Sequence, residues 1–447
     1  MDNSLIRRVT VGRTDGDDAD YAERVWVCEC EIGGAARVAS VLPPSGATKA
    51  RAVVRLHGQP LGYVELPLVD VESLAAGFQR AAVARFREAI LEHLRSEGLG
   101  LTNEGLPPPA ATTCPESDPG PKESVSVVVC TRNRADSVEA CLSSILRNTS
   151  PGLELVVVDN APTDDSTLQV VQAIAERDAR VRYAREDQPG LSRARNRGLA
   201  EARGRYIAYT DDDVIVDDRW VTGLLRAFVE ARVGCVTGLV ATAGISSAAE
   251  AYFDARAASW SSRFAPEVYD LAERSAPDAL YPYSAGIFGT GANFCFDRQL
   301  LLDLGGFDVA LGAGAPTRGG EDLDIFVRVL RAGRAIAYEP RALVWHHHRA
   351  DDAALLRQMY GYGTGLSAYL CKLLLDPSTR LDVLRRVPRG LWRLTRIRKQ
   401  TSERLTSPAA ASRRALGWEL AGLLAGPALY VRAQRHARVV GSARGSS

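Results

Sequence analysis

Three apolar runs constrain this chain most: "SVSVVVC" (124–130), "LELVVVD" (153–159) and "RYIAYTD" (205–211). Each is long enough for a strand and too evenly apolar to keep one face in water, so each reads as a strand buried on both sides. Stretches with helical periodicity lie between and beside them at 136–147, 165–178 and 191–203. Alternating strand and helix makes crossover units, and crossover units make a parallel sheet. Ligands of such a sheet gather beyond the carboxyl ends of its strands. Each run ends there in polar residues: Thr131-Arg132-Asn133-Arg134, Asp159-Asn160, and Asp211-Asp212-Asp213.

The aspartate triplet sets the chemical question. Three adjacent carboxylates repel, so a cation belongs beside them, either a side chain or a metal. A turn or helix cap would use the same residues. Hard ions such as Mg²⁺ and Mn²⁺, however, take carboxylate oxygens while keeping positions for substrate phosphates, and a nucleoside diphosphate would complete that site. In "QPGLSRARNRGLAEARG" (188–204), Arg193, Arg195 and Arg197 fall at a helix start, where amides and guanidinium groups both favour phosphate; a solvated basic face is the alternative. "GTGANFCFDRQLLLDLGGFD" (289–308) opens on a glycine-rich loop that lets backbone approach a ligand. "GGEDLDIFVRVLRAGRAIAYEP" (319–340) puts Glu321 and Asp322 at a helix start, as dipole partners or as a general base. "LVWHHHR" (343–349) ends an apolar run in three histidines, one of which could meet a metal.

In this order "CTRNR", "VVVDN", "PGLSRARNRG", "YTDDD", "GANF", "GGFD", "GGEDLD" and "VWHHHR" resemble the family 2 glycosyltransferases of the GT-A fold, over residues 124 to 350. The resemblance implies a Rossmann-like α/β domain with a mostly parallel sheet flanked by helices. It implies that Thr131, Arg134 and Asp159 frame the nucleotide base and ribose, and that Arg195 faces the diphosphate. Asp211 and Asp213 would be the two acids of the DxD motif, with Asp213 on Mn²⁺ or Mg²⁺ and Asp211 towards ribose or sugar. His346 would be the metal-binding histidine, with His348 as the alternative. Asp322 would be the catalytic base with Glu321 its neighbour, and Gly291 and Asn293 would lie on the acceptor side. The implied reaction is inverting transfer from a nucleotide-sugar donor to an acceptor hydroxyl, in the synthesis of cell-surface polysaccharide, glycolipid or a related glycoconjugate. A small-molecule or natural-product acceptor is the alternative, and a lipid-linked acceptor is among the possibilities. One base and one metal suffice, because a phosphate leaving group needs no protonation.

The flanks read differently. At 447 residues and 46% apolar content the chain exceeds one core. Residues 24–68 hold short β-like runs, followed by a helix from about Val71 to Leu94 whose Leu74, Phe78, Ala82, Phe86, Ile90 and Leu94 recur every four residues. Residues 1–100 therefore read as a small α+β accessory domain, in which His57 is isolated and structural. The Pro-rich stretch 101–123 reads as a linker. Eight cysteines without CxxC spacing fit a reducing cytoplasm, and "MDNSLIRRVTVGRTDGDDAD" lacks an apolar stretch of signal-peptide length.

Residues 351–447 read as a helical, basic region. From Arg380 onward there are 15 Lys and Arg against 3 Asp and Glu. "RLDVLRRVPRGLWRLTRIRKQ" (380–400) sets Leu391, Trp392 and Leu394 among arginines, the composition of a helix lying on an anionic membrane surface, here the inner face of the plasma membrane. "ALGWELAGLLAGPALYV" (415–431) is short for a span and carries Glu419. A nucleic-acid partner for the basic tail is disfavoured, because the phosphate-binding groups converge elsewhere.

Overall fold

A computed structural model describes residues 23–39, 43–102, 105–110, 114, 121–272, 279–404 and 410–444. The N-terminal stretch read against a signal peptide lies outside them, as does much of the Pro-rich 101–123 stretch. The described residues fall into two compact units. One draws on the chain up to Gly120 with Ala241–Ala265 and His346–Asp351. The other draws on Pro121–Val240, Pro266–Trp345 and the chain from Asp352.

The first unit opens with β1 (Val25–Glu31), β2 (Arg37–Ala39), β3 (Lys49–Leu56) and β4 (Gln59–Pro67), in sheet order β2-β1-β3-β4. β1 and β3 are parallel from Val25↔Lys49 to Glu31↔Arg55, while β2 and β4 run antiparallel to their neighbours. Period-two alternation turns Trp26, Cys28, Cys30, Ala50, Ala52, Val54 and Leu56 to one buried face. Against it pack α1 (Val71–Arg85), capped by the Asp70 carboxylate, and α2 (Arg87–Ser96). The apolar stripe is buried as its spacing predicts, but the single helix is two: the chain breaks at Phe86 (φ −113°, ψ 25°), whose ring packs onto the backbone of Gly62. Two described residues of the Pro-rich stretch, Leu106 and Cys114, are buried in this unit.

The second unit continues with β5 (Val125–Thr131), α3 (Ala135–Leu146), β6 (Leu153–Asn160), α4 (Ser166–Ala175), β7 (Val181–Glu186), α5 (Leu191–Glu201), β8 (Tyr206–Asp211), β9 (Val214–Val216), α6 (Trp220–Arg226) and β10 (Val233–Thr242). After α7 (Ala248–Ser261), which belongs to the first unit, come β11 (Glu267–Tyr269), β12 (Asn293–Asp297), α8 (Arg298–Asp303), α9 (Glu321–Arg331) and β13 (Ala335–His346). The sheet runs β11-β13-β10-β12-β8-β5-β6-β7, with β9 pairing β13. β8, β5, β6 and β7 are mutually parallel, and β12 enters antiparallel between β8 and β10. Val127 and Val129 face Val138, Leu142 and Ile145 on one side; Val128, Val156 and Val158 face Ala194 and Leu199 on the other. The pairs Thr131↔Asp159 and Cys130↔Asp211 bring the carboxyl ends of three strands level, at one edge.

Three long helices complete this unit: α10 (Asp352–Leu375), α11 (Arg380–Arg404) and α12 (Ala410–Arg444). α10 and α12 meet backbone to backbone around Gly363 and Gly422. Among the described residues, no helix is long and apolar enough to cross a membrane.

Candidate functional site

The cation that the triplet needs is supplied first by the protein. Arg134, at the N-terminus of α3, extends Nη1 to the carboxylates of both Asp212 and Asp213, the latter at 3.1 Å. Asp212 is the buried member, and its Oδ2 accepts from the Thr131 hydroxyl at 2.7 Å. Burial pushes the Asp212 carboxyl above the usual range while Arg134 opposes it. The middle aspartate thus anchors the loop, and Asp211 and Asp213 on either side are only partly buried. Asp211 and Asp213 each offer a carboxylate oxygen within 4.8 Å of the other, a spacing one divalent ion can bridge. Burial, with Asp213 and Asp212 adding their charge and Arg195 opposing, raises Asp211 towards neutrality.

Arg195 is turned inward. Only 3% of its side chain is exposed, so the guanidinium that the resemblance sets towards a diphosphate is engaged within the protein. Nη1 donates to Glu321 Oε1 at 3.0 Å, Nη2 donates to the Gly291 carbonyl at 2.9 Å, and Asp211 Oδ1 stands 3.6 Å away. The rings of Phe294 and Phe307 lie under the guanidinium at 4.9 and 5.5 Å, which suits a weakly hydrated, delocalised cation. The start of α5 is also engaged: Leu191 N–H donates to Ala313 O and the Ser192 hydroxyl to Leu311 O.

Glu321 and Asp322 open α9 after Gly320 in a left-handed conformation, and they differ in surroundings. Glu321 is buried; its Oε2 has no hydrogen-bond partner among the described residues, and burial, with Asp322 adding, raises its carboxyl towards neutrality. Asp322 is partly exposed; Oδ2 accepts from Gly291 N–H at 3.1 Å and Oδ1 from Leu323 N–H at 2.8 Å. A carboxylate that is positioned by hydrogen bonds and open to an incoming hydroxyl is what a general base requires.

At the third strand end, Asp159 is fully buried. Oδ2 accepts from the Tyr183 hydroxyl at 3.0 Å, Oδ1 has no hydrogen-bond partner among the described residues, and burial raises its carboxyl. Asn160 shapes the following loop, taking the Gly190 N–H at 2.8 Å and giving an N–H to Gln188 O at 2.8 Å. Asn160 is legible in the sequence as part of the polar Asp159-Asn160 strand end, whereas nothing in the sequence marks Tyr183.

Two expectations fare differently. Gly291 lies in the midst of the site, between Arg195 and Asp322. Asn293 does not reach an acceptor: it is fully buried, its Oδ1 accepts from Trp220 Nε1 at 2.9 Å, and its Nδ2 donates to Leu239 O and Ala342 O. The pleat of β12 turns this side chain into the sheet interior, where its hydrogen bonds are all satisfied. Of the histidines, His346 ends β13 half-exposed. His348 is held 3.1 Å from the Thr242 hydroxyl and against the Phe253 ring at 3.9 Å, and burial lowers its pKa well below the usual value.

Comparison with known proteins gives a consistent picture. The profile of Glycosyl transferase family 2 matches residues 126–284. The chain is 29% identical over 252 residues to the pre-mycofactocin glycosyltransferase of Mycobacterium tuberculosis, covering 56% of this chain and 48% of that protein. Glycosyltransferase GlyA of Streptococcus pneumoniae is 31% identical over 116 residues, which are 26% of this chain and 16% of its own. The chain therefore spans about half the length, or less, of these curated relatives. A solved mannosyltransferase from Pyrobaculum calidifontis, in complex with GDP-Man and Mn²⁺, superposes with a TM-score of 0.44 at 20% identity, over 71% of this chain and 87% of that one.

Proposed function

Because the chain belongs to the family 2 glycosyltransferases, we propose that it transfers a sugar from a nucleotide-sugar donor to an acceptor hydroxyl, with inversion and with Mn²⁺ or Mg²⁺. The observation that carries this reading is the level register of Thr131, Asp159 and Asp211 at one sheet edge, joined through Arg195 to Gly291 and the Glu321–Asp322 pair. Donor-side and base-side groups thereby share one ionic network.

Asp211 and Asp213 would hold the ion. Two carboxylates suit a hard divalent cation that keeps positions for phosphate oxygens. Such an ion, when bound, offsets the charge of the departing diphosphate. Asp322 takes the proton of the acceptor hydroxyl as that oxygen bonds to the anomeric carbon and the bond from that carbon to the phosphate oxygen breaks. Glu321 holds Arg195, and Asp159 offers its buried Oδ1 to the nucleotide.

The exposed face of α11 supports one acceptor class over the others. α11 exposes Leu381, Leu384 and Trp392 between arginines, which favours work at the inner face of the plasma membrane on a lipid-linked acceptor. The test is thermal stabilisation of purified protein by a panel of nucleoside diphosphates with Mn²⁺, followed by turnover of the matching nucleotide sugars. Acceptors tested should include pre-mycofactocin, for which a relative is named. Absence of stabilisation by every nucleotide, together with absence of donor turnover, would overturn the proposal.

A further inference from the structure

The first unit contains a buried polar cluster that sugar transfer does not use. His57, read from sequence as isolated, sits in the turn after β3 with a φ of 53°. Its Nε2 lies 2.9 Å from the Pro107 carbonyl oxygen; its Nδ1 lies 3.0 Å from Glu97 Oε1 and 3.2 Å from His93 Nε2. His93 and Glu97, four residues apart, lie on one helical face, with His93 Nε2 to Glu97 Oε1 at 2.8 Å. The other nitrogen of His93, Nδ1, stands 2.8 Å from Gln59 Oε1. Each imidazole therefore turns an outer nitrogen to an oxygen acceptor and an inner nitrogen to a shared point, which is how metal-ligating histidines are oriented. Cys114 joins two of them: the donor atoms of His57, Glu97 and Cys114 all lie within 4.8 Å of one another, and His93 Nε2 adjoins His57 and Glu97.

The surroundings hold this arrangement in place. The Glu31 carboxylate accepts from the backbone N–H groups of Gly33, His57 and Gly58 at 2.8, 2.9 and 2.9 Å, which fixes the turn bearing His57. Gly33 leaves room for the imidazole, since a Cβ there would fall 2.3 Å from a ring carbon. Glu97 Oε2 accepts from Ala110 N–H at 3.2 Å, and Cys114 N–H donates to Ala110 O at 3.0 Å, so Ala110 links Cys114 to the carboxylate.

We propose that His57, His93, Glu97 and Cys114 bind one zinc ion in a closed, structural site. Two imidazoles, a thiolate and a carboxylate match zinc and not Mg²⁺ or Mn²⁺, and four protein donors leave no position for substrate. The 2.8 to 3.2 Å separations among the two nitrogens and the oxygen approach the edge of a tetrahedron with zinc-ligand bonds, about 3.3 Å. The ion would tie α2, the β3–β4 turn and the segment bearing Cys114 to one point, and the site stands whether or not the transferase reading does.

Metal analysis of the full chain, produced with zinc and dialysed against metal-free buffer, tests this. About one zinc per chain is expected, retained in Asp213→Ala and lost in Cys114→Ser and His93→Gln, with circular dichroism reporting that the variants fold. Wild-type protein reconstituted with Co²⁺ should show thiolate-to-cobalt charge-transfer absorption, which reads sulfur ligation even if a variant fails to fold. A folded wild-type chain that keeps no zinc and shows no such absorption has a hydrogen-bonded cluster only, and the proposal falls. It falls equally if Cys114→Ser and His93→Gln keep full zinc.

Discussion

Arg195 Nη1 and Glu321 Oε1 lie 3.0 Å apart, with 3% and 8% of their side chains exposed, so each charge depends on the other. Removing one partner of a buried pair leaves the other uncompensated. Arg195→Ala should therefore destabilise the protein by about 3 to 5 kcal/mol, since Glu321 and Asp211 both lose their counter-charge. Denaturant unfolding measures this, and a loss within the range of an ordinary surface change would refute the network.

Asp322→Asn should separate transfer from donor binding. The change is nearly isosteric and leaves Arg195 and the triplet untouched, so nucleotide affinity should persist while turnover falls about 10²-fold or more. Steady-state kinetics beside nucleotide titration would show it. If Glu321→Gln lost turnover and Asp322→Asn kept it, the base would be Glu321.

Asp213→Ala should abolish metal-dependent nucleotide binding and leave the fold intact, because Asp212 keeps its buried bond to Thr131 and its own bond to Arg134 when the second Arg134 contact, to Asp213, is lost. Calorimetry with and without Mn²⁺ reads this directly. Full turnover by wild-type enzyme after exhaustive EDTA treatment is the contrary result.

Glu321 gives the stability a pH dependence of known sign. Its carboxyl is raised in the folded state, chiefly by burial, so on raising the pH the unfolded chain releases this proton first. The folded state binds more protons across that window, and stability falls as pH rises from the ordinary carboxylate range through the raised value. Unfolding free energies measured across this window should decline, and Glu321→Gln should flatten the decline. An unchanged slope in the variant would show that Glu321 ionises normally.

Membrane binding should reside in α11. Each basic residue near an anionic surface contributes about 1 kcal/mol, and the exposed Leu381, Leu384 and Trp392 add apolar contact. Truncation before Arg380 would also remove α12, whose Gly422 packs on α10, so substitutions are the cleaner probe. Leu384→Ser with Trp392→Ala should weaken co-sedimentation with anionic vesicles, and high salt should weaken it further. Equal sedimentation of variant and wild type would remove α11 from consideration.

The sheet was legible because its central strands are buried on both faces and must be apolar throughout. β7, "VRYARE", escaped notice because an edge strand can stay polar. The break at Phe86 was invisible to periodicity, since the four-residue spacing runs through it unaltered. Spacing and resemblance brought Asp211, Asp213, Glu321, Asp322 and Gly291 forward. They could not show that Arg195 turns inward or that Asn293 is spent in the core, because both outcomes depend on partners 49 to 126 residues away that only the folded topology brings near.

Gly291 gives its N–H to Asp322 and its carbonyl to Arg195, and a Cβ there would stand 2.9 Å from the Arg195 guanidinium. One residue's backbone is thus held at both ends by opposite charges, like a crossbar seated in two sockets. Any motion that lifts this crossbar must unseat the acid and the arginine together, so the site has a single mechanical setting and not two that could be adjusted apart.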